Sequence, residues 1–318
     1  MSALFIREAD VAKLLPMPAA IEAVQTVFRK QALTEVANIS RGRARTDHGM
    51  IHIMGAAAKT LGAMCSKIYT TTRKGANFLV LLFDGKTGET LAVIEGDMLG
   101  RIRTGATAGV AAAHMARRDA DTVGVFGSGK QARTQLEAMC CVRKITEAYV
   151  YSPKEDNRET FASEMSLMLG VPVRAVHKPE LAAEDKDIVV TATDSAEPVL
   201  LSEWVADGTH LSVVGSNFVG KAEIDVELVR RCEPIVVDEK EQAHMEAGDL
   251  VKAVEAGVVR WSDVHELGNV VVGRYPGRHE DADVTLFKSV GAALEDLAVA
   301  KAVFEAAVAN NYGERLPF

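Results

Sequence analysis

The sequence is poor in the residues that mark several functional classes. Its four cysteines, Cys65, Cys140, Cys141 and Cys232, include no C-x-x-C pair, and adjacent Cys140 and Cys141 are badly placed for a bridge. They read as reduced, mostly buried thiols. No stretch of about 18 apolar residues occurs, so no membrane span is expected. Basic residues are outnumbered, 36 Lys and Arg against 44 Asp and Glu, a net charge of −8. That balance argues against generic binding to nucleic acid or an anionic membrane. His48, His52 and His114 lack metal-ligand spacing with cysteine or carboxylate partners, so no metal is expected and His52 and His114 read as packing residues. The opening MSALFIREADVAKLL carries acids early and has no uninterrupted apolar core ahead of a cleavage site, which makes the cytoplasm the expected compartment.

What remains is an ordinary globular composition, 48% hydrophobic and 25% charged over 318 residues, long enough for two domains with their own cores. From Glu8 to about Val36 apolar residues recur at helical spacing, punctuated by Pro16 and Pro18. Strand-like runs come next: ISRGRART, MIHIMGAA, LGAMCSKIYT, FLVLLFD and TLAVIEG, the last two joined into a hairpin by the turn signal DGKTGE. In ISRGRART, Arg41, Arg43 and Arg45 fall at alternate positions, which on a strand share one face. Asp97 is predicted to N-cap a helix running to about Arg117. Beyond Asp121 short apolar strands alternate with helices, the strands being TVGVFG, ITEAYVYS, VPVRAV, DIVVTAT, THLSVVG and PIVVD. That alternation predicts an α/β fold with a doubly wound parallel sheet. The segment SVGAALEDLAVAKAVFEAAVAN predicts a long C-terminal helix.

Gly127-Ser128-Gly129-Lys130-Gln131-Ala132 fits G-x-G-x-x-G/A, directly after a strand and opening a helix. The first glycine permits the turn and the second lets backbone approach a pyrophosphate. Ala132 keeps helix and sheet close, while free N–H groups at the helix start face phosphate. The alternative is a glycine turn without a ligand; the α/β units after it favour a dinucleotide. Where NAD sites carry an acid at the end of the second strand, the chain reads Tyr151-Ser152-Pro153-Lys154. Ser152, Lys154 and Arg158 could meet a 2′-phosphate, favouring NADP over NAD, although Lys154 and Arg158 also fit as solvated helix-start residues. Strand C-termini face the ligand in such sheets, adding Thr191, Ala192, Thr193, Val214 and Gly215 as cofactor contacts. Lys288, Ser289 and Asp296 are expected towards the nicotinamide side.

The segments LGRIRTGATA, GSGKQA and VGSNFVGKAEID, with FLVLLFDGKTGETLAVIEGD, DIVVTAT and FKSVGAALEDLAVA, resemble the ornithine cyclodeaminase/μ-crystallin family in collinear order over nearly the whole chain. The resemblance implies a Rossmann domain, residues 119–288, inserted into a discontinuous α+β substrate and dimerisation domain, residues 1–118 plus 289–318. It implies a homodimer whose N-terminal sheets pair. The family includes ornithine cyclodeaminases, alanine dehydrogenases and ketimine reductases, which act on α-amino or α-imino acids.

An α-imino or α-keto acid carries a carboxylate beside the carbon that accepts hydride, and arginine offers that anion a planar, permanently charged fork. The family's site residues carry over to Arg41 (Arg43 being the near alternative), Lys67 and Arg103, with Thr104 as a cofactor-phosphate contact. Arg41 and Arg103 are expected to grip the carboxylate. Lys67 is expected to hydrogen-bond substrate and deliver the proton that accompanies amine formation. Arg43 and Arg45 either recognise a second acidic group or reach solvent and Asp47. Where ornithine cyclodeaminases carry an aspartate, this chain has Asn217, which cannot act as a carboxylate base. It either hydrogen-bonds substrate or is a turn residue after Gly215-Ser216. The expected activity is NAD(P)H-dependent reduction of a small α-imino acid, or the reverse oxidation of an amino acid. The alternatives are a cyclodeaminase releasing ammonia from ornithine or lysine, and a non-enzymatic NADPH-loaded binding protein of μ-crystallin type.

Overall fold

Pro16 and Pro18 divide the expected N-terminal helix in two. The computed structural model describes residues 2–317. After strand β1 (Leu4–Ile6) come α1 (Glu8–Leu14) and α2 (Met17–Ala32), with Pro16 at the N-cap of α2, where its missing N–H breaks no helical bond. Five strands come next, β2 (Val36–Arg45), β3 (Gly49–Ala58), β4 (Ala63–Thr72), β5 (Gly75–Asp84) and β6 (Thr90–Glu95), then helix α3 (Gly96–Met115). β5 and β6 form the expected antiparallel hairpin.

Asp97 does not cap α3, which corrects the sequence expectation. It lies within the first turn and pairs with Arg101. The N–H groups of Asp97 and Met98 donate instead to the Glu8 carboxylate at 2.7 and 2.6 Å. The N–H of Glu8 in turn donates to Glu95 at 2.8 Å, so the starts of α1 and α3 are tied together.

The chain divides into two compact units, residues 1–103 with 292–318 and residues 104–291. The divisions fall at 103/104, inside α3, and at 291/292, where the sequence predicts 118/119 and 288/289. The second unit comprises β7 (Thr122–Phe126), α4 (Lys130–Val142), β8 (Glu147–Tyr151), α5 (Glu155–Leu169), β9 (Val173–Ala175), β10 (Ile188–Thr191), β11 (His210–Val213), α6 (Val226–Arg231), β12 (Cys232–Val237), α7 (Lys240–Glu246), α8 (Gly248–Glu255), β13 (Val264–Glu266), α9 (Leu267–Val271) and β14 (Val284–Lys288). Its strands are all parallel, in the order β13-β12-β14-β11-β10-β7-β8-β9. The six expected strands are present, and β13 and β14 join them. β14 sits mid-sheet between β12 and β11; Thr285 and Lys288, both fully buried, break the apolar run by which a central strand is recognised. The chain steps outward from β7 to β8 and β9, then returns to the other side of β7 at β10. That reversal creates a switch point, beyond whose strand C-termini such sheets bind ligands.

The first unit is completed by α10 (Ala293–Asn310) and β15 (Glu314–Arg315). Its sheet runs β15-β1-β6-β5-β4-β3-β2 and is antiparallel except between β1 and β6. α10 packs across β2 to β5 and against α2, and is buried from Ala293 through Ala300. Side chains that alternate away from this covered face include Ile39, Ile51, Ile53 and Leu79, all exposed. Among the described residues no single helix is long and apolar enough to cross a membrane.

Candidate active site

Strict alternation would put Ile39 and Arg41 on one face of β2. A β-bulge intervenes. The register with β3 runs Ile39↔Gly55 and then Gly42↔Ile53, so Ser40 and Arg41 together oppose Met54, and the bulge re-aims the rest of the strand. Ile39 is 68% exposed and Arg41 only 7%. Arg43 joins Arg41 on the covered side, half-buried, and Arg45 ends exposed.

Lys67 on β4 faces the same side, between Met54 of β3 and Val80 of β5, and is buried. Its Nζ donates to Asp296 Oδ1 at 2.8 Å. Arg103 on α3 donates from Nη1 to Glu295 Oε2 at 2.7 Å, and its Nε lies 3.3 Å from the same Asp296 oxygen. Glu295 and Asp296 are fully buried in the first turn of α10, the end of a helix that favours anions. That end is fixed by Asn38 Oδ1, which accepts from the Leu294 N–H, and by Glu295 Oε1, which accepts from the Ala292 N–H. Gly100 on α3 leaves room for the ammonium, since a Cβ there would stand 3.1 Å from Lys67 Nζ.

Burial lowers the Lys67 pKa, and Arg103 and Arg41 push the same way against Asp296. Burial alone would raise the Asp296 carboxyl, but the charges of Arg103, Lys67 and Arg41 hold it below the usual carboxylate range. Arg41 thus acts on both groups. Arg41, Lys67 and Arg103 are brought together on one covered face with two carboxylates among them.

Beside this cluster Arg43, His52, Tyr69 and Phe78 are successive cross-strand partners over β2 to β5. His52 stacks on Tyr69 with centroids 4.1 Å apart, and Tyr69 on Phe78 at 5.0 Å. His52 Nε2 meets Thr71 Oγ1 at 3.0 Å. Burial, then Arg43, Arg41 and Arg45, lowers its pKa to about 4, so the ring is neutral near pH 7. Lys67 Nζ lies 5.7 Å from the Phe78 centroid, within cation–π range.

In the second unit the glycine turn stands at the switch point. Gly127 has φ +105°, and a Cβ there would meet Ala192 O at 2.4 Å, so both backbone and space require glycine. Gly129, the N-cap of α4, has open space where a Cβ would stand. Ala132 is buried beneath the helix, while Lys130 is exposed and Gln131 half-buried. Ser128 Oγ donates to Ser152 Oγ at 3.0 Å, linking the turn to the end of β8. Arg158 donates to Ser152 O at 3.3 Å, and Lys154 is the exposed N-cap residue of α5. Open space over Gly129 at the head of a long helix fits a dinucleotide pyrophosphate.

Glu223 is a residue that sequence reasoning misses. Fully buried, it accepts from Thr191 Oγ1 at 3.0 Å, Thr193 N at 2.7 Å, Thr193 Oγ1 at 2.8 Å and Gly215 N at 2.6 Å. Burial raises its pKa and Asp249 adds to this, opposed by Lys288 and the Thr193 donors. Asp249 accepts from the Glu223 N–H at 2.6 Å and pairs with Lys288 Nζ at 2.8 Å, and that ammonium also donates to Ser216 O at 3.0 Å. Lys288 therefore braces the loop ends from inside. Ser289 Oγ donates to Asp238, as do the N–H groups of Val290 and Gly291. Ala192, Val214 and Asn217 are half-buried at the strand ends, and Thr104 is buried on α3. Two signals point to the carboxylates that the sequence left unassigned, Glu223 and Glu295. Glu223 lies inside VGSNFVGKAEID, and Glu295 adjoins Asp296 as a pair of acids in an otherwise apolar helical run.

Residues 1–311 match the model of the ornithine cyclodeaminase/mu-crystallin family. The chain is 38% identical over 274 residues to Δ1-pyrroline-2-carboxylate reductase of Bacillus cereus, covering 84% of each. It superposes on Thermococcus litoralis Δ1-pyrroline-2-carboxylate reductase, solved with NADH and L-proline, with a TM-score of 0.95 and 35% identity over 98% of this chain and 100% of that one. An archaeal alanine dehydrogenase dimer with bound NAD gives a TM-score of 0.94 and 33% identity, covering 100% of both chains.

Proposed function

The chain belongs to the ornithine cyclodeaminase/mu-crystallin family, and on that premise we propose that it is an NAD(P)-dependent oxidoreductase reducing a small α-imino acid to the α-amino acid, the reverse oxidation being available. The observation that carries this is the buried cluster of Lys67, Arg103, Glu295 and Asp296 beside Arg41. The residues Gly127 to Ala132, with Thr104, Thr191, Thr193, Val214 and Gly215, would hold the dinucleotide. When bound in its reduced form, it supplies the hydride.

Arg41 and Arg103 grip the substrate carboxylate through their planar forks. Lys67 donates a hydrogen bond to the imine nitrogen and gives up the proton that balances hydride arrival at carbon, so C=N becomes CH–NH. Asp296 orients the Lys67 ammonium and favours its protonated form. Asn217 hydrogen-bonds the nitrogen end and, having no carboxylate, supports reduction over cyclisation with loss of ammonia. Ser152, Lys154 and Arg158 support the 2′-phosphorylated cofactor. The exposed apolar face of the first sheet supports pairing with a second copy.

Purified protein given NADPH or NADH, ammonia and a panel of α-keto acids, plus cyclic imines, is expected to consume cofactor, with the larger kcat/KM for NADPH. No consumption with any of them sinks the assigned reaction.

A further inference from the structure

Resting on the dinucleotide reading of the glycine turn, we propose that Arg133 is a positioning residue for the cofactor. It holds the peptides of that turn from behind, so that their N–H groups face the diphosphate. A pair of hydrogen bonds is the first ground. Arg133 stands one turn into α4, and side chains on a helix lean towards its N-terminus. Its Nη1 reaches back and donates to Ser128 O at 2.7 Å and to Gly129 O at 3.1 Å. Across a trans peptide the N–H points opposite to the C=O. With both carbonyls drawn to the guanidinium, the N–H groups of Gly129 and Lys130 are aimed to the other side.

The second ground is what the turn has to offer an anion. The Gly127 N–H donates to Tyr151 O at 2.9 Å, and the Ser128 hydroxyl donates to Ser152 Oγ at 3.0 Å. A phosphate here therefore depends on the backbone that follows. Gly129 has open space where a Cβ would stand, room for an anion to come against that backbone. Main-chain donors have no rotamer to adjust, so the tilt of the two peptide planes decides whether they meet the ligand.

The third ground is that Arg133 is itself fixed from α5. Glu164 Oε2 accepts from its Nε and Nη2, and the Phe161 ring centroid lies 5.2 Å from its Cζ. These contacts take one edge and one face of the planar fork and present the Nη1 end to the turn; an ammonium on a flexible stem has no such fixed geometry. Lys130 and Arg133 also put two cations near the start of α4, whose first turn holds no acid. That end of a helix repels cations and favours anions, and a bound diphosphate turns the repulsion into attraction.

The test follows NADH or NADPH binding to the full chain by nicotinamide fluorescence, with ADP-ribose and adenosine as displacing ligands. ADP-ribose carries the diphosphate and adenosine lacks it, so the ratio of their inhibition constants isolates the diphosphate's share. Arg133→Met, shown to be folded by circular dichroism, is expected to cut the advantage of ADP-ribose about 10-fold, while adenosine's own constant moves less than about 2-fold. A merely structural role would weaken both ligands together, and an unchanged ratio overturns the assignment. Should Arg133→Met not fold, Arg133→Lys is read by the same ratio: a loss of about 3-fold or more supports the role of the fork, and no loss overturns it. If neither NADH nor NADPH binds the wild-type chain, the dinucleotide reading itself fails and the role of Arg133 goes with it.

Discussion

At the scale of single residues, the site turns on how one buried ammonium keeps its proton. Asp296 raises the Lys67 pKa, while burial, Arg103 and Arg41 lower it. If Lys67 is the proton donor proposed above, activity falls as pH rises through that pKa, at a value below the ordinary 10.5. Asp296→Asn removes the opposing charge, and the alkaline limb of kcat/KM is expected to move to lower pH. An unmoved limb in the pH–rate profile would show that Lys67 is not the donor. The same change leaves a buried cation short of its partner, at a cost of about 3–5 kcal/mol in stability, so rates are referred to folded protein measured by circular dichroism. Alternation drew attention to the arginines of β2, and the collinear resemblance alone singled out Arg41, Lys67 and Arg103, which the fold brings onto one covered face. The bulge that brings Arg41 inside was not legible. One extra residue against Met54 leaves no mark in a sequence whose arginines already alternate.

At the scale of elements, the sequence was readable wherever an element's signal is local. The β5–β6 hairpin carries its own turn, and the glycine turn announces α4. α3 does the opposite, because its cap comes from Glu8, 89 positions away. Removing that carboxylate in Glu8→Ala strips two N–H groups of their acceptor. It is expected to lower unfolding free energy by about 1–2 kcal/mol in chemical denaturation. An unchanged midpoint at unchanged slope would show that water replaces the carboxylate at no cost. β14 was hidden for a related reason. Its Lys288 interrupts the apolar run of a central strand, and the partner that accompanies it into the core, Asp249, comes beside it only in the assembled sheet. Glu223 likewise gains meaning only when Thr191, Thr193 and Gly215 converge on it.

At the scale of the whole molecule, the doubly wound sheet was legible from alternating strands and helices, and the discontinuous first unit from the resemblance alone. The outer face of the first sheet sets Ile53, Ile68 and Leu79 side by side on neighbouring strands, with Ile53 and Leu79 exposed. If a second copy covers them, light scattering should give twice the chain mass, and Ile53→Asp should give a monomer. A wild-type monomer at micromolar concentration would remove the self-association assignment.

The first unit closes only when the chain returns after an excursion of 188 residues, from 104 to 291. At roughly 5–20 residues per second, the ribosome delivers α10 some ten to forty seconds after it has finished β6. Throughout that interval the nascent sheet lacks α10, and Lys67 and Arg103 have yet to meet Glu295 and Asp296. A message cut short before codon 293 leaves Lys67 and Arg103 without Glu295 and Asp296, so on the proposed assignment losing the last 26 residues removes chemistry rather than trimming a tail.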